Sequence, residues 1–352
     1  MNTHLLLLTR AGYEGDAAAQ VQAITARAGV YGYCQTESGS GLVRFITPDT
    51  DALTAWFRHA SLDDLIFARQ WCLAGEPLTD LPADNRLSPI LAALAGQRFA
   101  EVVVETPDAE ATRPLLRLCR SFSNPLGQAL RRLGMLQPRS LDLPVLHIVF
   151  ADTATAYLGW THPAQGAPWP MGIPRLRQAK EAPSRSALKL EEAIILFLSP
   201  AERSAWLCDG RTAVDLGAAP GGWTWQLLRD GLHVTAVDNG ALAPAVAAHP
   251  NVEHRREDGF TFRPKTPVDW LVCDMVEQPG RVAVLMAEWL LRGDCQRALF
   301  NLKLPMKKRQ QAVVECQQAI EVVLGAAARP YSLTIRQLYH DRDEVTAYLR
   351  WA

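Results

Sequence analysis

The sequence predicts an α/β protein whose C-terminal half is a Rossmann-like domain built on a mostly parallel seven-stranded sheet. From residue 211 onward, short apolar runs alternate with longer amphipathic stretches, which is the pattern of a parallel sheet covered by helices on both faces. A glycine-rich loop, DLGAAPGGW at residues 215–223, follows the first of these runs and opens a helical stretch. Loops in that position bind nucleotide-containing cofactors in such folds.

Composition is that of a folded protein with more than one domain. The chain has 352 residues, 48% hydrophobic and 21% charged, with a net charge of −1, so only local charge clusters could indicate nucleic-acid binding. Seven Cys without a C-x-x-C pair argue against a disulfide framework and favour a reducing cytoplasm. We see no metal-ligand spacing and no apolar stretch near the ~20 residues of a membrane span, so neither a metal nor a membrane partner is predicted.

The N-terminal part predicts an α+β region in two pieces. Residues 1–90 predict a small ferredoxin-like subdomain, with strands at 5–9, 41–46 and 65–72 and helices at 16–28 and 51–58. Its first apolar run is too short for a signal segment and predicts a buried strand instead. Residues 91–162 predict a second subdomain, with strands at 101–105, 145–150 and 155–160 and helices at 110–122 and 124–133.

A proline-rich stretch follows and separates the two halves. Residues 163–183 contain five prolines, which predicts either a linker or an ordered loop. The catalytic domain is then expected over residues 184–352. Its predicted strands are 212–216, 233–237, 252–255, 270–273 and 298–302, with 332–338 and 345–350 as a closing antiparallel pair; its predicted helices are 223–229, 281–291 and 306–324.

The glycine-rich loop favours S-adenosylmethionine over a dinucleotide. A dinucleotide fingerprint has glycine at its second position so that a pyrophosphate can approach the backbone, but this loop has Ala219 there. The next residue, Pro220, lacks a backbone N–H donor. S-adenosylmethionine carries no phosphate, and its amino-acid end suits a tight turn beside a carboxylate. No G-x-x-x-x-G-K-[ST] loop is present.

Acidic residues at successive strand ends extend this cofactor site. Asp238 is positioned to accept hydrogen bonds from the ribose hydroxyls of the cofactor. Asp258, with Phe260 as an apolar neighbour, could accept a hydrogen bond from the amino group of its adenine. Each acid alone could be an ordinary loop residue, but acids at the ends of successive strands together favour a cofactor site. The predicted cofactor-binding residues are Ser186, Asp215, Gly217, Ala218, Ala219, Pro220, Gly221, Gly222, Trp223, Asp238, Asp258 and Asp274.

Four further charged residues lie where the same crevice would collect them. Lys189 precedes the first strand of the domain, Asp274 ends the fourth and Lys303 ends the fifth. Glu344 opens the last strand, where Asp343 is the alternative carboxylate. A single Lys or Glu is usually a solvated surface charge, but strand ends on one side of a parallel sheet share a crevice, so the ordered set predicts catalysis.

These motifs carry a family resemblance. PSRSALKL at 183–190, the glycine-rich loop, CDM at 273–275, Lys303 and Glu344 resemble the RrmJ/FtsJ-type 2'-O-methyltransferases over residues 180–352. The resemblance implies a class I methyltransferase fold that uses S-adenosylmethionine, and a catalytic tetrad of Lys189, Asp274, Lys303 and Glu344.

The N-terminal region adds a second resemblance, to the THUMP domain, an RNA-binding module. The combination is similar to bacterial enzymes that methylate the 2'-hydroxyl of a cytidine in the peptidyl-transferase region of 23S ribosomal RNA. It implies 23S ribosomal RNA as partner, before the subunit is fully assembled. The oligomeric state is left open.

The chemistry expected of the tetrad is transfer of a methyl group from a sulfonium to a ribose oxygen. Lys303 is the candidate base. Burial, Lys189 and the sulfonium would lower its pKa, whereas Asp274 and Glu344 would raise it, and the sequence leaves that balance open.

Two basic clusters are candidates for contacts with RNA phosphates. The second cluster could instead be an ordinary helix face exposed to solvent, without a role in binding. The predicted RNA-binding residues are Arg175, Arg177, Lys180 and Arg185 in the first cluster, and Lys307, Lys308 and Arg309 in the second.

Three alternatives stay open at this point. One is a methyltransferase that acts on another RNA, on a base, on a protein or on a small molecule. Methylation of cytosine at C5 would need a nucleophilic Cys near the fourth strand, where Cys273 lies. A non-catalytic RNA-binding assembly factor could keep the same fold. A dehydrogenase is disfavoured by Ala219 and Pro220.

Overall fold

The computed structural model describes residues 3–163, 165–327 and 329–352. The chain forms two compact units, Met1–Pro174 and Arg175–Ala352, and each is built on its own seven-stranded sheet. The predicted α/β class is therefore confirmed.

The first unit alternates short strands and helices. Its elements are β1 (His4–Thr9), α1 (Glu14–Arg27), β2 (Tyr33–Thr36), β3 (Leu42–Ile46), α2 (Thr50–Phe57), β4 (Ala68–Ala74), α3 (Leu87–Ala93), β5 (Glu101–Glu105), α4 (Leu115–Arg132), β6 (Val145–Phe150) and β7 (Ala156–Thr161). The strand order is β2-β3-β1-β4-β7-β6-β5. Strands from both predicted subdomains thus share one sheet, joined where Leu73 and Ala74 of β4 pair with β7.

One prediction for this unit was wrong, and the bounds of another element are displaced. The pair of helices expected at 110–122 and 124–133 is the single helix α4, which continues through Pro125. Proline removes one backbone hydrogen bond, but Leu126 and Leu130 are completely buried in the core, and this packing holds the two halves together. The strand expected at 65–72 is β4, which runs from Ala68 to Ala74 and follows a short 3-10 turn at residues 62–64.

The proline-rich stretch is an ordered loop where it belongs to the first unit. The side chain of Gln70 both donates to the carbonyl of Ala167 and accepts from its N–H, each over 3.0 Å. The indole of Trp71 donates to the carbonyl of Gln165 over 2.9 Å. Ala164, within the predicted linker, lies outside the described residues.

The second unit contains the predicted seven-stranded sheet. Its elements are α5 (Ala187–Phe197), α6 (Pro200–Trp206), β8 (Thr212–Leu216), α7 (Gly222–Arg229), β9 (His233–Val237), α8 (Pro244–Ala247), β10 (Val252–Arg255), β11 (Val268–Cys273), α9 (Pro279–Arg292), β12 (Cys295–Lys303), α10 (Arg309–Leu324), β13 (Tyr331–Arg336) and β14 (Glu344–Trp351). The order is β10-β9-β8-β11-β12-β14-β13.

The pairing of these strands decides where a site can form. The first five strands in that order are parallel, whereas β14 runs antiparallel to both β12 and β13. The predicted closing antiparallel pair is confirmed. The carboxyl ends of β8, β9, β11 and β12 consequently lie at one edge, where open α/β sheets bind ligands, and the start of β14 joins them there.

Three helices of this unit were not predicted. Of these, α6 had a clear signal: Ser199 and Glu202 form a reciprocal capping box, with Pro200 at the first helical position. Among the described residues, no helix combines the length and the apolar character needed to cross a bilayer.

Candidate active site

Four charged side chains meet at the carboxyl end of β12. They are the tetrad: Lys189 from the first turn of α5, Asp274 just after β11, Lys303 at the end of β12 and Glu344 at the start of β14. The Nζ of Lys303 lies 2.6 Å from Oδ1 of Asp274, and the Nζ of Lys189 lies 3.4 Å from Oδ2. Both lysines also pair with the carboxylate of Glu344. The result is a closed ring in which positive and negative groups alternate.

Glu344, and not its neighbour Asp343, supplies the second carboxylate. The side chain of Glu344 is 5% exposed, whereas that of Asp343 is 68% exposed and lies 3.9 Å from Arg309. Glu344 also accepts from the backbone N–H of Arg342 over 3.4 Å, which keeps its carboxylate turned toward the lysines.

Burial and charge pairing compete within the ring. Burial lowers the pKa of Lys303, but the carboxylates of Asp274 and Glu344 outweigh it, so the pKa is raised above its ordinary value. Burial raises the pKa of Glu344, but Lys303 and Lys189 outweigh that effect, and the net pKa is lowered. The balance that the sequence left open therefore favours an ammonium on Lys303 in the protein alone.

Helix α5 is tied to the loop that precedes Glu344. Glu192, one turn after Lys189, is buried and accepts from the backbone N–H groups of Tyr339 and His340 over 2.8 and 2.9 Å. These hydrogen bonds connect the helix that carries Lys189 to the loop that leads to Glu344.

The glycine-rich loop lies directly beside the tetrad. Gly217 adopts a positive φ of 76°, and a Cβ there would lie 2.6 Å from the Cγ of Met275, the residue after Asp274. At Gly222 a Cβ would lie 2.1 Å from the Oγ of Ser186, three residues before Lys189. The loop therefore passes close to both segments that carry tetrad residues, and glycine is required at these two contacts.

Asp215 has the features of a group that receives an amine. Its Oδ2 accepts from the hydroxyl of Thr224 over 2.7 Å, whereas its Oδ1 is buried and has no hydrogen-bond partner in the protein. Burial raises the pKa of this carboxyl to about 7. An unsatisfied buried acceptor is costly, and the amino group of S-adenosylmethionine is a donor of the right chemistry.

The other two acids occupy the neighbouring strand ends. Asp238 accepts from the backbone N–H of Ala219 over 3.0 Å and from that of Gly240 over 2.7 Å, which ties it to the loop. Asp258 is exposed and accepts from the N–H of Phe260 over 2.9 Å. Both positions leave carboxylate lone pairs for further donors.

The side chains of the remaining predicted cofactor residues are packed or lie within the turn of the loop. Ala218 and Trp223 are buried within the core cluster of the unit, so their side chains are committed to packing. The loop turns at Gly221, which has a φ of 108°, and Pro220 precedes that turn. Ser186 lies 2.6 Å from Ser184, oxygen to oxygen, against Gly222.

The first basic cluster lies on an irregular segment before α5. All four of its side chains, Arg175, Arg177, Lys180 and Arg185, are exposed. The guanidinium of Arg175 lies 5.2 Å from the ring centre of Tyr339, which places one end of the cluster on the loop before Glu344.

The second cluster departs from the prediction. Lys307 and Lys308 are exposed but lie in a loop, because α10 begins only at Arg309. Lys308 has a positive φ of 59°, which a helix cannot contain. The predicted start at residue 306 was wrong, and the interpretation as a helix face does not hold for the two lysines, whereas Arg309 opens α10. Met306, which the sequence did not single out, is 85% exposed beside it.

Several polar residues that support the ring escaped the sequence analysis. Asn301 donates to Oδ1 of Asp274 over 2.9 Å, and Thr346 and Asp341 lie behind it. They sit within or beside apolar strands, where the sequence alone does not reveal which polar side chains are paired. Only Glu192 had a local signal, since it falls on the face of α5 that carries Lys189.

Cys273 is not suited to nucleophilic chemistry. It is completely buried, and burial raises the pKa of its thiol to about 12. The thiolate that a cytosine C5 mechanism requires is therefore strongly disfavoured. Among the described residues, no group of three or more His, Cys, Asp or Glu side chains is arranged to hold a metal ion.

Three protein-family models match successive parts of the chain. They are the RlmM ferredoxin-like domain at residues 1–72, the N-terminal domain of ribosomal RNA large subunit methyltransferase M at 85–162, and the FtsJ-like methyltransferase at 182–313. The resemblance found for the C-terminal half, and with it the methyltransferase fold, is confirmed. The THUMP likeness of the N-terminal part stays a prediction.

Similar proteins extend over almost the whole chain. A protein of Aromatoleum aromaticum is 51% identical over 347 residues, with 98% of this chain and 94% of that protein covered. Proteins of an Azoarcus species and of Methylococcus capsulatus are 48% and 46% identical, each with 98% of this chain and 95% and 97% of their own covered. All three are named ribosomal RNA large subunit methyltransferase M.

Proposed function

The chain belongs to the ribosomal RNA large subunit methyltransferase M family, and we propose that it transfers a methyl group from S-adenosylmethionine to the 2'-hydroxyl of a cytidine in 23S ribosomal RNA. The observation that carries the ribose assignment is the ring of Lys189, Asp274, Lys303 and Glu344 beside the glycine-rich loop. Such a ring can hold a neutral hydroxyl and take its proton, and it contains no nucleophile for a base.

The cofactor side of the site is assigned to the strand ends around Asp215. Asp215 would accept from the amino group, Asp238 from the ribose and Asp258 from the adenine. When bound, S-adenosylmethionine supplies a methyl group on a sulfonium, whose positive charge disfavours a second cation beside it. The unpartnered Oδ1 of Asp215 supports this assignment.

Lys303 is the group to which we assign the proton of the 2'-hydroxyl. In the protein alone its pKa is raised, so it rests as an ammonium between two carboxylates. A third positive charge and the exclusion of water both lower the pKa of an ammonium, so Lys303 loses its proton more readily in the loaded site. The neutral amine would then accept the hydroxyl proton, and S-adenosylmethionine would supply the methyl group to the ribose oxygen and leave as the neutral thioether when its carbon–sulfur bond breaks.

The other members of the ring orient this exchange. Lys189 donates to the ribose oxygen or to Glu344, and keeps one positive charge in the ring when Lys303 is neutral. Asp274 and Glu344 fix the position of the Lys303 amine from two sides. Orientation of this kind lowers the barrier without new chemistry.

Binding of the RNA is assigned to the two basic clusters. The exposed side chains of Lys307 and Lys308 follow Lys303 by a few residues, so a phosphate next to the target ribose is within their reach. Arg175, Arg177, Lys180 and Arg185 extend the positive surface on the α5 side. A THUMP-like N-terminal unit would add contacts to RNA structure away from the target.

We assign the reaction to the cytoplasm. All seven Cys are free thiols, which is expected in the reducing cytoplasm, where ribosomal RNA is also available before subunit assembly is complete.

The experiment that tests the proposal is methyl transfer from labelled S-adenosylmethionine to protein-free 23S ribosomal RNA, followed by alkaline hydrolysis. A 2'-O-methyl group blocks cleavage of its own phosphodiester, so we expect the label in an alkali-resistant dinucleotide that contains cytidine. Label in mononucleotides would place the methyl group on a base and overturn the ribose assignment.

A further inference from the structure

One face of helix α4 in the first unit is exposed and carries only positive and neutral polar side chains. Leu115, Cys119, Leu126 and Leu130 of this helix are buried in the core of the unit. Residues three and four apart share a helix face, and the side chains on the opposite side, continued by the turn just before the helix, are all exposed. We call them the α4 row: Arg113, Arg117, Arg120, Asn124, Gln128 and Arg131.

The segment that carries the α4 row contains no acidic residue. Between Glu110 and Asp142 the sequence has neither Asp nor Glu, so no carboxylate of the helix itself neutralises the arginines. Within the described part of the chain, arginine ion pairs are formed by other arginines. Helix faces that serve only as solvated surface usually mix charges of both signs, and the α4 row does not.

The stability of the helix does not account for the α4 row either. Arg113 and Arg117 lie at the N-terminal end of α4, where the helix dipole disfavours positive charge, and the first turn has no acid. Arg117 is four residues from Arg113 and three from Arg120, and like charges at these spacings repel each other. Only Arg131, in the last turn, is placed favourably. The row is therefore expected to gain its favourable interactions from a negatively charged ligand.

The dimensions and chemistry of the α4 row fit a nucleic-acid backbone. The helix has 18 residues and is about 27 Å long, so the row can face several successive phosphates. Guanidinium groups bind phosphate through two parallel N–H bonds. The amide of Gln128 donates to Oδ1 of Asn124 over 3.3 Å, which leaves the NH₂ of Asn124 and the carbonyl of Gln128 for a phosphate and a ribose hydroxyl. A membrane surface fits poorly, because the apolar face of α4 is buried in the core.

The α4 row suits a duplex better than a single strand. Proteins that bind single-stranded RNA stack its bases on aromatic side chains, and the row contains none. The aromatic residue of the helix, Phe122, packs edge-on against Phe150 with ring centres 5.6 Å apart. A straight series of charges without a stacking surface matches the regularly spaced phosphates of base-paired RNA, which proteins recognise largely by shape.

We propose that the α4 row binds the phosphate backbone of a base-paired segment of the substrate RNA without reading its sequence. This inference rests on the proposed function and deepens it, since it names the surface of the N-terminal unit that meets RNA and the form of RNA that it takes. The row has a binding role and no part in the transfer of the methyl group.

The test is the binding of an RNA hairpin of arbitrary sequence to the full-length protein over a range of salt concentrations. Arg113→Gln/Arg117→Gln should reduce the slope of log Kd against log salt by about 1.4–1.8, since each lost phosphate contact removes about 0.7–0.9. The matched control is Arg27→Gln/Arg58→Gln. These two arginines are exposed on α1 and at the end of α2, which pack on β1 to β3, whereas α4 packs on β5 at the far edge of the sheet. The control should keep the wild-type slope.

Two further measurements separate this role from a structural one. Arg113→Gln/Arg117→Gln should keep or slightly raise the melting temperature, because it removes positive charge from a helix N-terminus, and it should leave the affinity for S-adenosylmethionine unchanged. With a single-stranded RNA of the same length as the probe, the reduction in slope should be smaller than with the hairpin.

Three results would overturn the inference. An unchanged slope in Arg113→Gln/Arg117→Gln would mean that the α4 row does not bind RNA and is free for another anionic partner, such as an acidic protein. Equal reductions in the variant and the control would reflect net charge alone. Equal reductions with hairpin and single strand would contradict the duplex assignment.

Failure of this inference and failure of the proposed function can be told apart. The binding measurements require no methyl transfer, so methyl label in mononucleotides would overturn the ribose assignment and leave the result on the α4 row standing. Label in an alkali-resistant dinucleotide, together with wild-type hairpin binding by Arg113→Gln/Arg117→Gln, would overturn only the role of the α4 row.

Discussion

Lys303 and Glu344 lie directly opposite each other where β12 and β14 pair, and their side chains form an ion pair at the end of the sheet. The strand register sets this arrangement, because a slip of one residue would turn one of the two side chains to the other face. The candidate base and its counterion are thus held by sheet hydrogen bonds.

The first prediction concerns Lys303 itself. We expect Lys303→Ala to lower methyl transfer by about 10²- to 10⁴-fold, the usual contribution of a general base, with binding of S-adenosylmethionine retained in calorimetry. Lys265→Ala is the matched control, since this exposed lysine precedes β11 at the opposite end of the sheet. Equal rates for Lys303→Ala and wild type would remove Lys303 as the base.

The second prediction uses the pKa of Lys303. Glu344 is one of the two carboxylates that raise it, so Glu344→Gln should lower it. If the rate depends on the neutral amine, the rising limb of kcat against pH moves to lower pH in Glu344→Gln, although the maximum rate also falls. A limb that stays in place, or moves to higher pH, would contradict the role of Lys303. Asp343→Asn, next to it and exposed, should leave the limb unchanged.

The third prediction is a proton release on cofactor binding. The pKa of Asp215 is raised to about 7 by burial. An amino group that donates a hydrogen bond to its Oδ1 would favour the ionised form of the carboxyl. S-adenosylmethionine should therefore bind more tightly as the pH rises through about 7. Calorimetry in two buffers of different ionisation enthalpy should detect a released proton with wild type and none with Asp215→Asn. Equal proton release from both proteins would exclude Asp215 as the source.

The sequence was most informative where chemistry coincides with strand ends. All seven strands of the second unit could be recognised from their apolar runs, and Lys303 and Glu344 lie at the ends of two of them. The start of α10 was misplaced because Met306 to Lys308 are compatible with a helix, and only the positive φ of Lys308 ends that possibility. Asn301 and Thr346 could not be found, because a buried polar residue and an exposed one look alike in a strand until pairing is known.

The fourth prediction concerns the close contact at Gly222. An added Cβ would lie 2.1 Å from Ser186 Oγ and 3.2 Å from the backbone nitrogen of Ala187, so Gly222→Ala must displace the turn that starts α5. We expect a loss of about 1–3 kcal/mol in the free energy of unfolding and weaker binding of S-adenosylmethionine. In the control Gly280→Ala the added Cβ meets nothing within 4 Å, so stability should be unchanged or slightly higher. Similar melting temperatures for the two variants would contradict this account.

The fifth prediction assigns Lys307 to a phosphate of the RNA. Its side chain is exposed in the loop that directly follows the base candidate, and a lysine that neutralises one phosphate releases about 0.7–0.9 of a counterion. Lys307→Ala should therefore weaken RNA binding and reduce the slope of log Kd against log salt by about that amount, with binding of S-adenosylmethionine unchanged. Lys265→Ala removes the same charge from the far end of the sheet and should leave the slope as in wild type. If both variants reduce the slope equally, the effect reflects net charge alone, and Lys307 has no specific phosphate contact.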